Sequence, residues 1–186
     1  MCKNLYIALL HYPVYNKKGD VVTTAVTNMD IHDISRAART YGVRGFYIIT
    51  PIEQQQIFVK RILHHWQKGY GTTYNPSRKQ AFDIVRLEGT LDGTIMAISQ
   101  ETGGKVNVVA TSASPRRRHI TCESLREKIS VSKEAFLIVF GTGWGIAEEA
   151  IEKADFFVEP IRGNSDYNHL SVRSAAAVTL DRLCGQ

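Results

Sequence analysis

The residues whose spacing offers the most chemistry are three glycines at alternate positions, Gly141, Gly143 and Gly145, set between an apolar run at 136–140 and a short helical stretch. A loop that leaves a strand and enters a helix presents backbone N–H groups to a small polar cofactor, and missing side chains let the ligand approach the main chain. The pattern departs from the dinucleotide fingerprint, because Ile146 stands where the third glycine belongs, and no G-x-x-x-x-G-K-[ST] phosphate loop occurs. Position argues the same way. A dinucleotide-binding sheet carries its glycine loop after the first strand and then needs several more strand–helix units, whereas one short strand and one helix follow Gly145. Taken alone, the glycines read more simply as a tight turn.

Other candidate groups are isolated. His32, His169 and Asp30 have acid–base chemistry, but a lone histidine more often serves structure. His64 and His65 are neighbours on a helix and point to different faces, and no His, Cys and carboxylate set has metal-ligand spacing, so no metal is expected. Cys2, Cys122 and Cys184 form no metal or redox spacing, and their odd number argues against a secreted disulfide framework. Arg116, Arg117 and Arg118 are either a grip for phosphates or a solvated charge run. The net charge of +5, from 23 basic and 18 acidic residues, suits a polyanionic partner and is also common among ordinary proteins.

The elements that position these groups read as one α/β domain, a mainly parallel sheet flanked by helices. With 186 residues and 44% apolar content, the chain can bury one sizeable core. No apolar run reaches membrane length and Met1 leads straight toward a strand, so the expected location is the cytoplasm, with no membrane partner. Residues 5–10 form a buried strand, 12–20 a loop and 21–26 an edge segment. A helix over 31–41 buries Ile31, Ile34 and Ala38 and stops at Gly42, before a strand at 45–49. Thr50-Pro51-Ile52-Glu53 has the form of a capping box opening a helix that runs to Lys68. A surface loop at 72–78 follows. Residues 81–87 fit strand or helix, and a helix spans 91–101, ended by Gly103-Gly104. Strands at 106–110 and 136–140, with a helix at 121–129 between them, lead to the glycine loop. After it come a short helix, a strand at 156–158, an irregular loop at 159–168, and a last helix rich in Ser171, Ser174, Ala175, Ala176 and Ala177.

Read together, residues 137–146, Glu159-Pro160-Ile161-Arg162-Gly163 and the run 167–178 resemble the last two motifs of the SPOUT class of RNA methyltransferases. Residues 28–42 are similar in spacing to that family's earlier motif, N-x-x-N-I-G-x-I-x-R-T-A-x-x-x-G, with Ile31, Ile34, Arg36 and Gly42 in register and Asn28 one position after the motif's first asparagine. Three motifs in order are far more specific than any one of them.

The resemblance implies a C-terminal deep trefoil knot, formed by about residues 105–186 within a single domain over 1–186. S-adenosylmethionine would lie against the knot's backbone, RNA would be the substrate, and the chain would form a homodimer. It assigns the cofactor pocket to Thr111 and Ser112, to Gly141, Thr142, Gly143, Trp144, Gly145 and Ile146, to Pro160 and Ile161, and to Asn168, His169, Leu170 and Ser171. It assigns catalysis to Arg36, which binds phosphate or a developing oxyanion rather than acting as a base, with Asn28 orienting Arg36 or the substrate. Arg116, Arg117 and Arg118 would grip RNA beside the cofactor. The implied activity is methyl transfer to a nucleotide of transfer or ribosomal RNA. Three departures bear on it: Asp30 replaces the second asparagine, Thr142-Gly143 replaces a residue followed by Glu in the ribose-methylating branch, and His169 stands near that branch's asparagine. A module that keeps the pocket without transferring methyl groups, and an unknotted flavodoxin-like nucleotide-binding domain, are the alternatives.

Overall fold

The computed structural model describes residues 3–114 and 119–186. Arg116, Arg117 and Arg118 lie outside the described residues. The chain opens with β1 (Leu5–Leu10), a small antiparallel pair β2 (Val14–Tyr15) and β3 (Val21–Val22), then α1 (Asn28–Thr40) and β4 (Gly45–Ile49). Next come α2 (Glu53–Gln67), α3 (Gly71–Tyr74), α4 (Pro76–Phe82), β5 (Val85–Glu88) and α5 (Leu91–Thr102). The C-terminal half runs β6 (Val106–Ala110), α6 (Cys122–Val131), β7 (Ala135–Gly141), α7 (Glu148–Ile151), β8 (Phe156–Phe157) and α8 (Val172–Cys184).

Six strands form one parallel sheet in the order β5-β4-β1-β7-β6-β8. Every residue of β1 is buried, as a central parallel strand covered on both faces requires. Its alternation divides the core into two layers. Leu5, Ile7 and Leu9 meet side chains of α1, α2, α6 and α8, while Tyr6, Ala8 and Leu10 meet those of α5 and α7. α8 therefore returns from the region of the edge strand β8 to pack on α1 and α6. No helix among the described residues is long and apolar enough to cross a membrane.

Several local readings change. Val21 and Val22 pair with Tyr15 and Val14 in a separate hairpin, not on the edge of the main sheet. No capping box forms at Thr50, because its N–H still belongs to the sheet ladder, donating to Glu88 O at 3.1 Å; α2 begins at Glu53 behind Ile52, which offers no capping side chain. The expected loop at 72–78 is two short helices. Asn75 caps the second by accepting from the Arg78 N–H at 2.9 Å, with Pro76 at its first position. Residues 81–87 divide between the end of α4 and the start of β5.

Candidate functional site

Loops leaving the C-terminal ends of β6, β7 and β8 meet at one cleft, of about 740 Å³. Thr111, Ser112, Gly141, Thr142, Gly143, Trp144, Gly145, Ile161, Asn168, His169, Leu170 and Ser171 all line it. The structure thus brings together the glycine loop, the loop after β6 and the approach to α8. Asn168 ties two of these walls, its Nδ2 donating to Ala113 O at 2.8 Å.

Two expected lining residues lie elsewhere. Ile146 is 4% exposed and packs in the core, where a Cβ on Gly141 would stand 2.6 Å from its Cγ1. Its bulk, not its access to ligand, explains why residue 141 lacks a side chain. Pro160 faces a separate cavity of about 410 Å³ with His119, Glu159, Arg162 and Arg182.

The glycine loop's backbone donors are mostly not free. Thr142 N–H donates to Leu10 O at 3.3 Å, Trp144 N–H to Tyr15 O at 2.8 Å and Gly145 N–H to Thr142 O at 3.2 Å. Among the described residues, only the Gly143 N–H of these four lacks such an acceptor. Tyr15 belongs to the β2–β3 hairpin, which grips the loop at both ends, since Tyr15 N–H also donates to Gly145 O at 2.8 Å. Gly143 has φ +60°, and a Cβ there would lie 2.8 Å from Tyr15 O, so hairpin contact and backbone conformation together demand glycine.

Beneath the loop runs a chain of hydrogen bonds that sequence reasoning missed. The Thr142 hydroxyl donates to Leu10 O at 3.0 Å, and therefore accepts from the hydroxyl of Thr24. Thr24 Oγ1 in turn accepts from His11 Nδ1 at 3.0 Å. This direction leaves Nε2 as the unprotonated nitrogen, and it is buried without a partner among the described residues. Burial pushes the His11 pKa down to about 4, against the opposing pull of Asp30. The only sequence hint was a histidine placed directly after a wholly apolar strand.

The remaining polar side chains of the cleft are largely committed to structure. Thr111 Oγ1 donates to Val139 O at 3.0 Å, and Ser171 caps α8 by accepting from Ser174 N–H at 3.2 Å. His169 meets the Tyr167 ring edge-on at 5.3 Å. What the cleft presents to a ligand is backbone, the apolar surfaces of Phe140, Val158, Ile161 and Leu170, and the carboxylate of Glu159; the Asp30 carboxylate also lines it but accepts from the Thr27 hydroxyl at 2.6 Å and pairs with Arg173 at 3.4 Å. That set fits S-adenosylmethionine: apolar surface for an adenine, a cradle from which Cβ atoms are missing, and an anion for a cofactor carrying a sulfonium and an ammonium.

Arg36 and Asn28 do not line the cleft. Both are exposed on α1, eight residues and hence about 12 Å apart along its axis, so Asn28 does not hold Arg36. Asp30 and Asp33, the acids nearest in sequence, are taken by Arg173 of α8, at 3.4 and 2.9 Å, so Arg36 is unpaired among the described residues. His32 lies away from the cleft, edge-on to Trp66 and Phe82 at 5.4 and 4.7 Å.

Comparison with known proteins agrees with this geometry. The chain is 42% identical over 181 residues to an uncharacterised protein of Aquifex aeolicus, covering 97% of this chain and 88% of that one. It is 43% identical over 183 residues to a tRNA (guanine-N(1)-)-methyltransferase of Oleidesulfovibrio alaskensis, covering 98% of this chain but only 42% of that longer protein. Its fold matches the SpoU methyltransferase AviRb of Streptomyces viridochromogenes, solved with AdoMet, with a TM-score of 0.59, 13% identity and coverage of 98% of this chain and 57% of that one. Residues 4–185 match the family model described as SAM-dependent RNA methyltransferase. The chain, with its parallel sheet and its cleft at the strand ends, belongs to the S-adenosylmethionine-dependent RNA methyltransferases.

Proposed function

We propose that the cleft bounded by Gly143, Ile161 and Leu170 holds S-adenosylmethionine, and that the chain methylates a nucleotide of transfer or ribosomal RNA presented beside Arg36. The observation that carries this reading is the convergence of three strand-end loops on one cleft of about 740 Å³. When bound there, the cofactor supplies a methyl group on positively charged sulfur. Ile161 and Leu170 take the adenine, the Gly143 N–H remains to donate, and Glu159 faces the cationic end.

In-line methyl transfer asks the protein mainly to hold the acceptor in position. Arg36 is exposed and unpaired among the described residues, so its planar fork is available to a phosphate of the RNA. Transfer RNA is the first substrate to try, because the Oleidesulfovibrio alaskensis relative is named for it. That name belongs to a protein more than twice as long as the matched segment, and the guanine-N1 acceptor is therefore not carried over.

The reading includes a single domain over residues 1–186 with a cofactor-binding knot at about 105–186, a homodimer, and a cytoplasmic location. The Asn168 bond to Ala113, which lays the last loop against the loop after β6, supports the knotted path. Small residues on α8, Ser174 and Ala177, support close packing against a second copy.

The test is transfer of tritium from methyl-labelled S-adenosylmethionine to total tRNA and rRNA taken from cells lacking the gene. Label should enter one RNA fraction and fall sharply with Arg36→Ala. Cofactor binding without any transfer to either fraction would point instead to a non-catalytic binding module.

A further inference from the structure

We propose that the surface formed by α2, α3 and α4 is a landing site for unpaired nucleotides of RNA, with Tyr70 and Tyr74 as its base-stacking platform. The inference rests on the RNA methyltransferase reading and extends it to a surface outside the cleft. Tyr70 and Tyr74 are each 72% exposed, and their rings stack with centroids 5.9 Å apart and planes 29° apart. Two large aromatic side chains left in water side by side mark a contact surface more often than a lone one does.

The rings are held in place. Tyr74 N–H donates to Tyr70 O at 3.1 Å, one turn of α3. A Cβ on Gly71 would stand 2.7 Å from Trp66 Cε3 and 2.9 Å from His65 O, so glycine at 71 lets α3 close on the end of α2 and fixes the tyrosines at the surface. Beside them the Arg78 guanidinium lies over the Trp66 ring at 5.0 Å, and His65 meets the same ring edge-on at 4.9 Å. Trp66 also meets His32 of α1, one helical turn before Arg36, edge-on at 5.4 Å. The array therefore runs from the tyrosines to the helix that carries the proposed phosphate-binding arginine.

Charge follows the same path. Between Glu53 and Phe82 the chain carries Lys60, Arg61, Lys68, Arg78 and Lys79 against Glu53 alone, which is most of the net charge of +5. Lys79 is bonded to Asp83 at 2.8 Å, but Lys60, Arg61 and Lys68 are exposed without a carboxylate partner among the described residues. Aromatic faces interleaved with unpaired cations suit single-stranded RNA, whose splayed bases stack on the rings while its phosphates meet the cations. A duplex hides its base faces and cannot use the rings.

The test is fluorescence anisotropy with a dye-labelled single-stranded RNA and with its duplex, using the full chain and a Tyr70→Ala/Tyr74→Ala variant. Both side chains are mostly in solvent, so the variant should keep its fold and its affinity for S-adenosylmethionine. It should bind the single strand at least about ten-fold more weakly, with little change for the duplex. A Lys60→Ala/Arg61→Ala/Lys68→Ala variant should flatten the slope of log affinity against log salt by about 2, at roughly 0.7 per lost phosphate contact. Unchanged single-strand affinity in the tyrosine variant would overturn the inference. So would a variant that alters only self-association in sedimentation, which would assign the surface to contact between copies. Either result leaves methyl transfer by the wild-type chain intact, so failure here is distinct from failure of the methyltransferase reading.

Discussion

The guanidinium of Arg173, the second residue of α8, stands 2.9 Å from the carboxylate of Asp33 on α1. It reaches Asp30 as well, at 3.4 Å, and so ties the helix that follows the last cleft-lining loop to the helix that carries Arg36. Val172 and Ala175 on the same turn line the cleft. This clasp is partly exposed, and a double-mutant cycle of Arg173→Ala with Asp33→Ala should give a coupling of about 0.5–1 kcal/mol in urea unfolding. Additive effects would show that the helices are held by packing alone.

Arg36→Ala should lower the rate of methyl transfer by about 100-fold or more, as loss of a donor to developing charge typically does. Because Arg36 lies outside the cleft, the dissociation constant for S-adenosylmethionine should stay within about two-fold. Single-turnover rates and cofactor titration separate the two quantities. Loss of cofactor binding in this variant would place Arg36 in the pocket rather than at the RNA.

His11 gives stability a defined pH dependence. Burial holds its folded pKa at about 4, below the 6.5 of an unfolded histidine, so between these values the unfolded chain binds more protons. Stability is therefore complete above pH 6.5 and is lost as pH falls toward 4, by up to about 3 kcal/mol from this group. His11→Asn should flatten the curve over that interval while lowering stability at neutral pH. An unchanged curve would contradict the buried, neutral histidine under Thr24 and Thr142.

Gly143→Ala should cost about 1–2 kcal/mol from its left-handed backbone alone, with more from the approach of Cβ to Tyr15 O. Thermal unfolding measures this directly. Gly145→Ala reports backbone strain alone, since that position has φ +114°, outside the left-handed well, and nothing within 4 Å of its Cβ. A loss at 143 of no more than about 1–2 kcal/mol would show that the hairpin contact is unimportant.

Periodicity and breakers carried much of the fold. β6 spans residues 106–110 as read, and α5 ends at Gly103 in the left-handed conformation that a glycine stop implies. The cleft was legible because its walls are loops directly after apolar strands, so chain order placed Thr111, Gly143 and Leu170 near one another once the strands were parallel. What failed was context. Thr50-Pro51-Ile52-Glu53 has capping chemistry, but ladder bonding of Thr50 to Glu88, a partner 38 residues away, outweighed it. The hairpin grip on the glycine loop depends on Tyr15 and Thr24, whose partners lie more than 110 residues ahead, and local spacing carries no trace of that. Ile146 and Pro160 belong to motif segments that border the cleft, yet each side chain points to another environment.

The most direct measurement is a calorimetric titration of the chain with S-adenosylmethionine, alongside a Leu170→Arg variant. Leu170 is 48% exposed on the cleft wall, so arginine there blocks the cavity and adds positive charge without disturbing the core. The wild-type chain should bind one equivalent per protomer near micromolar affinity, about -8 kcal/mol, and the variant should bind at least about 100-fold more weakly. Equal affinity in the two proteins would contradict the assignment of this cleft to the cofactor.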